Sequence, residues 1–233
     1  MSSVHRSELE NWPRPSVAVD VALLTVVPGE SPGRLSVLLH RRAVGYGEGR
    51  WSLPGTFVHE GERLAQSALR ALKDKVRVQG ERPEQLGVFD DPGRDDRGWV
   101  LSVAHVDLIP YARLEPALTD ACALAAVEGE IPAAVVDGHA GGLLFDHDEI
   151  VAKAVGWARD AYEQKPDPLG LLGEEFTLYE LQRLHEAVLG GVLPKDRWRR
   201  SMESPERGLL ESTGGYQRGS VGAPARLFRR GSG

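Results

Sequence analysis

The sequence predicts an α/β domain with a mixed sheet, followed by a small basic domain of two helices and a β-hairpin. Three observations carry this expectation. Residues 17–27 (VAVDVALLTVV) and 35–40 (LSVLLH) are β-branched, apolar runs, and an amphipathic stretch follows at 62–76, so strands and helices interleave. Residues 164–175 (QKPDPLGLLGEE) hold two prolines and two glycines between polar flanks, the composition of a linker. Charge divides at the same place: residues 176–233 carry 10 Lys+Arg against 6 Asp+Glu, a net of +4, which leaves −10 on residues 1–175 out of the whole-chain −6. The expected division is residues 1–165, a linker at 166–175, and residues 176–233.

The elements justify themselves in order. Residues 17–27 read as a buried strand, residues 28–34 as a Pro/Gly turn, and residues 35–40 as the second arm of a hairpin. Residues 45–54 form a loop carrying Trp51. In residues 62–76 (ERLAQSALRALKDKV), Leu64, Ala68, Leu69, Leu72 and Val76 recur at spacings of three and four, which predicts a helix. Residues 86–89 and 99–108 (WVLSVAHVDL) are strand-like, separated by the Gly/Asp turn DDPGRDDRG. Residues 117–138 are ambiguous, with a short strand at 132–136. Residues 146–163 read as a helix, with Asp146 at the N-cap and Glu149 three residues on, the spacing of a capping box.

Composition sets limits before any motif is read. With 233 residues, 41% apolar and 27% charged, the chain is an ordinary globular protein. Its one cysteine, Cys122 in an Ala-rich stretch, permits neither an internal disulfide nor a Cys-rich zinc site and reads as a small packed hydrophobe. No apolar run is long enough to span a bilayer, and MSSVHRSELE has no apolar signal core, so a cytoplasmic protein without membrane contact is expected. Net charge alone argues against a nucleic-acid partner.

Two segments carry chemistry. In residues 53–78 (LPGTFVHEGERLAQSALRALKDKVRV), Leu53–Gly55, Phe57-Val58, Gly61-Glu62 and Arg70 stand in the register of the Nudix box, with seven residues between Glu62 and Arg70. The segment resembles that box, and the resemblance extends over residues 17–162, including GRDDRGW at 93–99 and LLFDHDEI at 143–150. It implies a Nudix-type α/β/α sandwich. An intact box holds Mg²⁺ with glutamates stacked on one helix face, and the metal activates water against a pyrophosphate. Here the opening Gly is Thr56, the Glu after Arg70 is Ala71, the Glu-Glu pair is Asp74-Lys75, and the later Gly is Arg77. Little or no hydrolysis is expected, with no catalytic residue, metal or cofactor; Glu62 and Arg70 are left to hold the loop. A fold without those carboxylates still has a cleft. Arg41, Arg42, Arg94 and Arg97 are the expected phosphate contacts, Trp51, Phe57 and Phe89 the expected stacking surfaces, and Glu62 is counted with the ligand site.

The second segment is the basic tail. Thr177 and Glu180 have capping-box spacing, Leu178, Leu181, Leu184 and Val188 form a helical stripe, and Gly190-Gly191 ends it. Pro194 then opens a short helix, KDRWRRSMES, and residues 208–213 and 225–230 flank a Gly-rich loop as a hairpin. The whole resembles a winged helix-turn-helix module. Trp198 is the expected core anchor of the second helix. Lys195, Arg197, Arg199 and Arg200 on that helix, Arg218 at the wing tip and Arg226 beside it are the expected DNA contacts. Arg229 and Arg230 are expected to fray.

A degenerate Nudix domain followed by a winged helix resembles the Nudix-related transcriptional regulators, the NrtR family. The resemblance implies a homodimeric repressor of NAD-metabolism genes that binds a palindromic double-stranded operator, with ADP-ribose or a related nucleotide as effector. An active hydrolase of ADP-ribose-like nucleotides with a basic tail, and a winged helix that contacts protein instead of DNA, are the alternatives.

Overall fold

The computed structural model describes residues 11–29, 32–217 and 224–231. Arg218, expected at the wing tip, lies outside the described residues. The larger domain is one mixed sheet built from β1 (Ser16–Val27), β2 (Arg34–Arg41), β3 (Trp51–Ser52), β4 (Gly55–Phe57), β5 (Glu84–Phe89), β6 (Val100–Leu108), β7 (Cys122–Glu128), β8 (Ala133–Val136) and β9 (His139–Ala140). The order is β5-β6-β1-β2-β7-β8-β9, with β3 on β2 and β4 on β1. β1 and β6 run parallel; β1–β2, β2–β7 and β5–β6 are antiparallel.

Strand periodicity explains the layers. Val21, Leu23 and Leu38 face helix α1 (Leu64–Val76), where Ala68, Leu72 and Val76 close one core. Ala22, Leu24, Val37 and Leu39 face α3 (His147–Gln164), whose Ile150, Val151, Ala154, Val155 and Ala158 close the other. Successive side chains on a strand point to opposite faces, so a strand covered on both sides is apolar at consecutive positions, as β1 is at Val21–Leu24. The expected sandwich is the observed one. Leu69, placed in the apolar stripe, is instead 40% exposed. The short helix α2 (Tyr111–Leu114) leads toward β7.

Two local expectations change. β7, left ambiguous, is a strand because residues 122–126 pair with residues 36–40 of β2; its sequence CALAAVE has weak strand propensity, and pairing overrides it. Cys122 in it is 5% exposed within the α1-side core, and burial pushes its thiol up to about 11. Asp146 stands at the N-cap of α3 but makes no capping hydrogen bond; its carboxylate accepts from Arg94 instead. Asp148 accepts from the Gly142 and Leu143 amides at 2.8 and 3.1 Å.

The smaller domain comprises β10 (Phe176–Thr177), α4 (Leu178–Leu189), α5 (Lys195–Met202), β11 (Leu210–Gln217) and β12 (Ala225–Arg230), with sheet order β10-β12-β11. The capping box forms: Thr177 Oγ1 accepts from the Glu180 amide, and Glu180 Oε2 accepts from the Thr177 amide. Gly190 closes α4 at φ 76°, the left-handed conformation glycine adopts without a Cβ penalty. Leu181 joins Phe176, Trp198, Met202, Leu209 and Phe228 in a third core, while Leu184 and Val188 of the same helix join the larger domain's core. Trp198 is the anchor the sequence suggested.

Residues 166–175 are not a free tether. Asp167 is fully buried and accepts from Tyr162 Oη at 2.8 Å and from the amides of Leu171 and Leu172 at 2.8 and 2.9 Å. Arg230, expected to fray, lies in β12; its guanidinium is bonded to the Asp167 carboxylate and donates to Leu172 O at 2.8 Å. Arg229 pairs with Glu211 across the hairpin. Among the described residues no helix is long and apolar enough to cross a membrane.

Candidate functional sites

The loop between β4 and α1 is held by one guanidinium. Arg70 donates to both Glu62 oxygens at 2.9 and 2.8 Å, to Thr56 Oγ1 at 3.0 Å and to Phe57 O at 2.8 Å. Glu62 also accepts from Ser67 Oγ and the His59 amide, and Arg70 holds its carboxyl well below the usual carboxylate range. Glu62, expected with the ligand site, is therefore a brace, because its bonds tie the loop at His59 to Ser67 and Arg70 of α1. Gly55 is required where β4 crosses β1: a Cβ there would lie 2.1 Å from Asp20 Oδ1 and 2.9 Å from Val19 O.

Beside this loop opens a cleft of about 170 Å³ lined by Ala18, Asp20, Arg42, Leu53, Gly55, Thr56, Phe57, Lys75, Arg94, Asp95, Arg97, Val100, Phe145 and His147. A shallower cavity of about 570 Å³ adjoins it, sharing Arg94 and Phe145. Sites for drug-sized ligands run to roughly 300–1,000 Å³, so an extended ligand would use both.

The cleft floor is a charged cluster. Asp20 accepts from Ser102 Oγ at 2.6 Å and lies 3.4 Å from Arg94 Nη2 and 3.3 Å from His147 Nε2. Burial raises its carboxyl, but His147, Ser102 and Arg94 together bring it down to about 2. His147 Nδ1 accepts the Leu53 amide at 3.0 Å, which leaves the ring proton on Nε2, facing Asp20. Arg94 is bidentate to Asp146 at 2.7 and 2.6 Å and only 8% exposed. It was expected to contact phosphate; two carboxylates fifty or more residues away in sequence already hold it as a clamp.

The cleft mouth is aromatic and cationic. Arg97 is bidentate to Asp95 and lies over the rings of Tyr46, Phe57 and Phe145 at 5.4, 5.5 and 5.2 Å. Tyr46 stacks on Phe145 with centroids 5.8 Å apart, and Tyr46 Oη donates to Asp96 at 2.8 Å. Arg42 donates to Tyr46 O and reaches over Phe145. Arg42, Phe57 and Arg97, three of the expected ligand contacts, thus line one cleft, a juxtaposition the sequence did not give. Tyr46 and Phe145 were missed; Phe145 sits at φ 59°, a local oddity that no sequence pattern announces.

Arg41 and Trp51 do not reach the cleft. They pair in register across β2 and β3, and Arg41 lies over the Trp51 ring at 5.4 Å. Trp51 packs on the α3-side core in a pocket with Leu39 and Ala123. Strand alternation puts Arg41 on the Leu39 face, so adjacency to Arg42 in sequence does not make it a neighbour in function. Phe89 packs on the same core with Lys153 over its ring.

On α1 the positions of the box are now visible. Ala71 is buried, Asp74 and Lys75 are exposed, and Arg77 caps the helix at φ 59°, a left-handed residue where the family has glycine. Among the described residues no group of three or more His, Cys, Asp or Glu is placed to hold a metal ion. His40, buried near Ser52, is pushed down to about 4 by burial and by the charges of Lys75 and Arg42.

In the smaller domain a groove of about 530 Å³ runs between α4, α5 and β12, lined by Thr177, Leu178, Tyr179, Gln182, Lys195, Trp198, Arg199, Pro224, Ala225, Arg226 and Phe228. Lys195, Arg199 and Arg226 meet there, while Arg197 and Arg200 are exposed on the remainder of α5. Arg199 is tied to Glu203 at 2.7 Å, and Arg200 donates to Asp196 O at 3.2 Å. A cationic helix anchored by buried Trp198 and Met202 beside a hairpin has the form of a surface that neutralises phosphates and enters a groove.

Comparison with known proteins agrees with both halves. Residues 16–164 match the NUDIX domain, and residues 168–230 match the NrtR DNA-binding winged helix domain. The chain is 30% identical over 221 residues to the ADPR-responsive transcriptional repressor NtrR of Acinetobacter baylyi, covering 94% of this chain and 83% of that protein. Its fold is similar to Shewanella oneidensis NrtR solved with a 27-mer DNA, at TM-score 0.70 and 30% identity, covering 92% of this chain and 93% of that one. It is also similar to a MutT/nudix family protein of Enterococcus faecalis, at TM-score 0.74 and 27% identity, covering 97% and 90%.

Proposed function

Because the chain belongs to the Nudix family and, within it, to the NrtR regulators, we propose that it is a cytoplasmic, DNA-binding transcriptional repressor of NAD-metabolism genes that senses ADP-ribose or a related nucleotide. The observation that carries this reading is the pairing in one chain of a cationic winged helix with a Nudix cleft whose box has Ala71 and Lys75 at carboxylate positions. Arg42 contacts the phosphates, and Tyr46, Phe57 and Phe145, gathered around the Asp95-bound Arg97, supply stacking surface. Lys195, Arg197, Arg199, Arg200 and Arg226 contact DNA, and a homodimer presents two recognition helices to a palindrome whose half-sites lie about 34–36 Å apart or a multiple of it. Effector acts by linkage: it shifts operator affinity by as much as its own affinities for the two dimer states differ.

A mobility-shift titration on the DNA upstream of the chain's own gene, with ADP-ribose, NAD or no ligand and across a salt series, tests this. A shifted complex whose affinity falls with salt and changes with ADP-ribose is the expected result. No shift and no salt dependence would sink it. Turnover of ADP-ribose with Mg²⁺ at about 1 per second or more, an ordinary enzyme rate, would favour a hydrolase.

A further inference from the structure

We propose that Lys75, with Arg42, takes the place of the divalent cation of the fold and forms a metal-independent site for the diphosphate of the effector. The inference rests on the sensor reading above and deepens it.

The donor set does not fit the metal. Mg²⁺ demands near-octahedral oxygen ligation and is usually held through carboxylates. The three helical positions that carry carboxylates in an intact box offer a buried methyl group at Ala71, one short carboxylate at Asp74 and an ammonium at Lys75. Among the described residues no cluster of acids or histidines makes up the loss. An ammonium in that position repels a cation instead of binding it.

The charges that remain suit an anion. Several cationic side chains lie in or beside the cleft, and most already have a carboxylate: Arg70 has Glu62, Arg94 has Asp146 and Asp20, and Arg97 has Asp95. Lys75 and Arg42 line the same cleft and form no salt bridge among the described residues. Both charges add to burial in lowering His40, and Arg42 is disfavoured by its own burial and then by Arg97, with Asp20 and Asp95 offsetting part of this. Two cations without a salt bridge facing one small cavity are relieved by a bridging anion, and a diphosphate brings two negative charges to them. Lysine is a point-charge phosphate ligand, and arginine a forked one. Neither coordinates water and generates hydroxide as a metal does. The same substitution that provides for binding therefore withholds hydrolysis.

The test is calorimetric titration of the full chain with ADP-ribose, pyrophosphate and adenosine, each in EDTA and in Mg²⁺. Wild type is expected to bind ADP-ribose equally in both buffers. Lys75→Gln should weaken ADP-ribose and pyrophosphate by about tenfold or more, the size of a charge-assisted contact, and leave adenosine unchanged. Lys75 is exposed on its helix, so the variant should melt as wild type does. Loss of wild-type binding in EDTA, or equal diphosphate affinity in Lys75→Gln, would overturn the proposal. Pyrophosphate binding through Lys75 without any ADP-ribose binding would overturn the sensor reading and leave the diphosphate site standing.

Discussion

His185 shows what one buried group does to the protein's pH response. It is 1% exposed, edge-on to both Tyr162 and Trp198 at 5.3 and 5.4 Å, and burial pushes it down to about 4 from 6.5. His40 is lowered to about 4 as well. In both cases the unfolded chain takes up a proton at a higher pH than the folded chain does. Their stabilising effect is therefore complete above pH 6.5 and is lost as pH falls toward 4, by up to about 3 kcal/mol each. Urea melts at pH 7.5, 6 and 5 should show falling stability, and His185→Phe should flatten part of that slope. Equal stability at pH 7.5 and pH 5 would contradict the assignment. The Asp20 carboxyl, at about 2, acts in the same direction but only below its ordinary value of 3.8.

At the scale of elements, α5 explains why a basic helix is not equally basic at every residue. Trp198 and Met202 dock it in the third core, which fixes the rotation of the helix and decides which cations face outward. Lys195 has no salt bridge among the described residues, whereas Arg199 must first leave Glu203. Lys195→Ala is therefore expected to weaken DNA binding more than Arg199→Ala. Each phosphate contact removed should also reduce the slope of log affinity against log salt by about 0.9. Mobility shifts across a salt series measure both quantities; a variant with wild-type affinity and slope takes its residue off the DNA face.

The whole molecule is joined where a linker was expected. Helix α4 contributes to two cores, and Asp167 binds the end of α3, the connecting backbone and the last residue of the wing together. Removing the Asp167 carboxylate leaves the Tyr162 hydroxyl and the Leu171 and Leu172 amides without their acceptor, and an unsatisfied buried donor costs about 1–3 kcal/mol. Asp167→Ala should lower stability by at least that amount, and scanning calorimetry should show the wild-type chain melting in one transition because the domains share apolar surface. Two well-separated transitions in the wild type would show the shared core to be unimportant. The net charge of −6 likewise describes neither part: the acidic domain, by repelling DNA, directs the basic one toward it.

The sequence by itself determined the features written within a few residues or one periodicity. Apolar strand runs and the 3.6-residue stripe specified an α/β domain with a mixed sheet, and the motifs in register carried the resemblance to the two modules in order. The Thr177–Glu180 spacing specified the start of α4, and the register of Glu62 and Arg70 specified the loop before α1. Only the tertiary structure decided which groups meet. Arg94 finds Asp146 52 residues away, Tyr46 finds Asp96 50 away, and Arg230 finds Asp167 63 away. Those partners turn an expected phosphate ligand into a clamp, put Tyr46 and Phe145 at a cleft mouth where Trp51 was expected, and convert a Pro/Gly tether into a buried joint. The physical reason is range. Backbone propensity and capping act along the chain, whereas desolvation makes a buried charge depend on whichever opposite charge the packed sheet and helices bring within hydrogen-bonding distance.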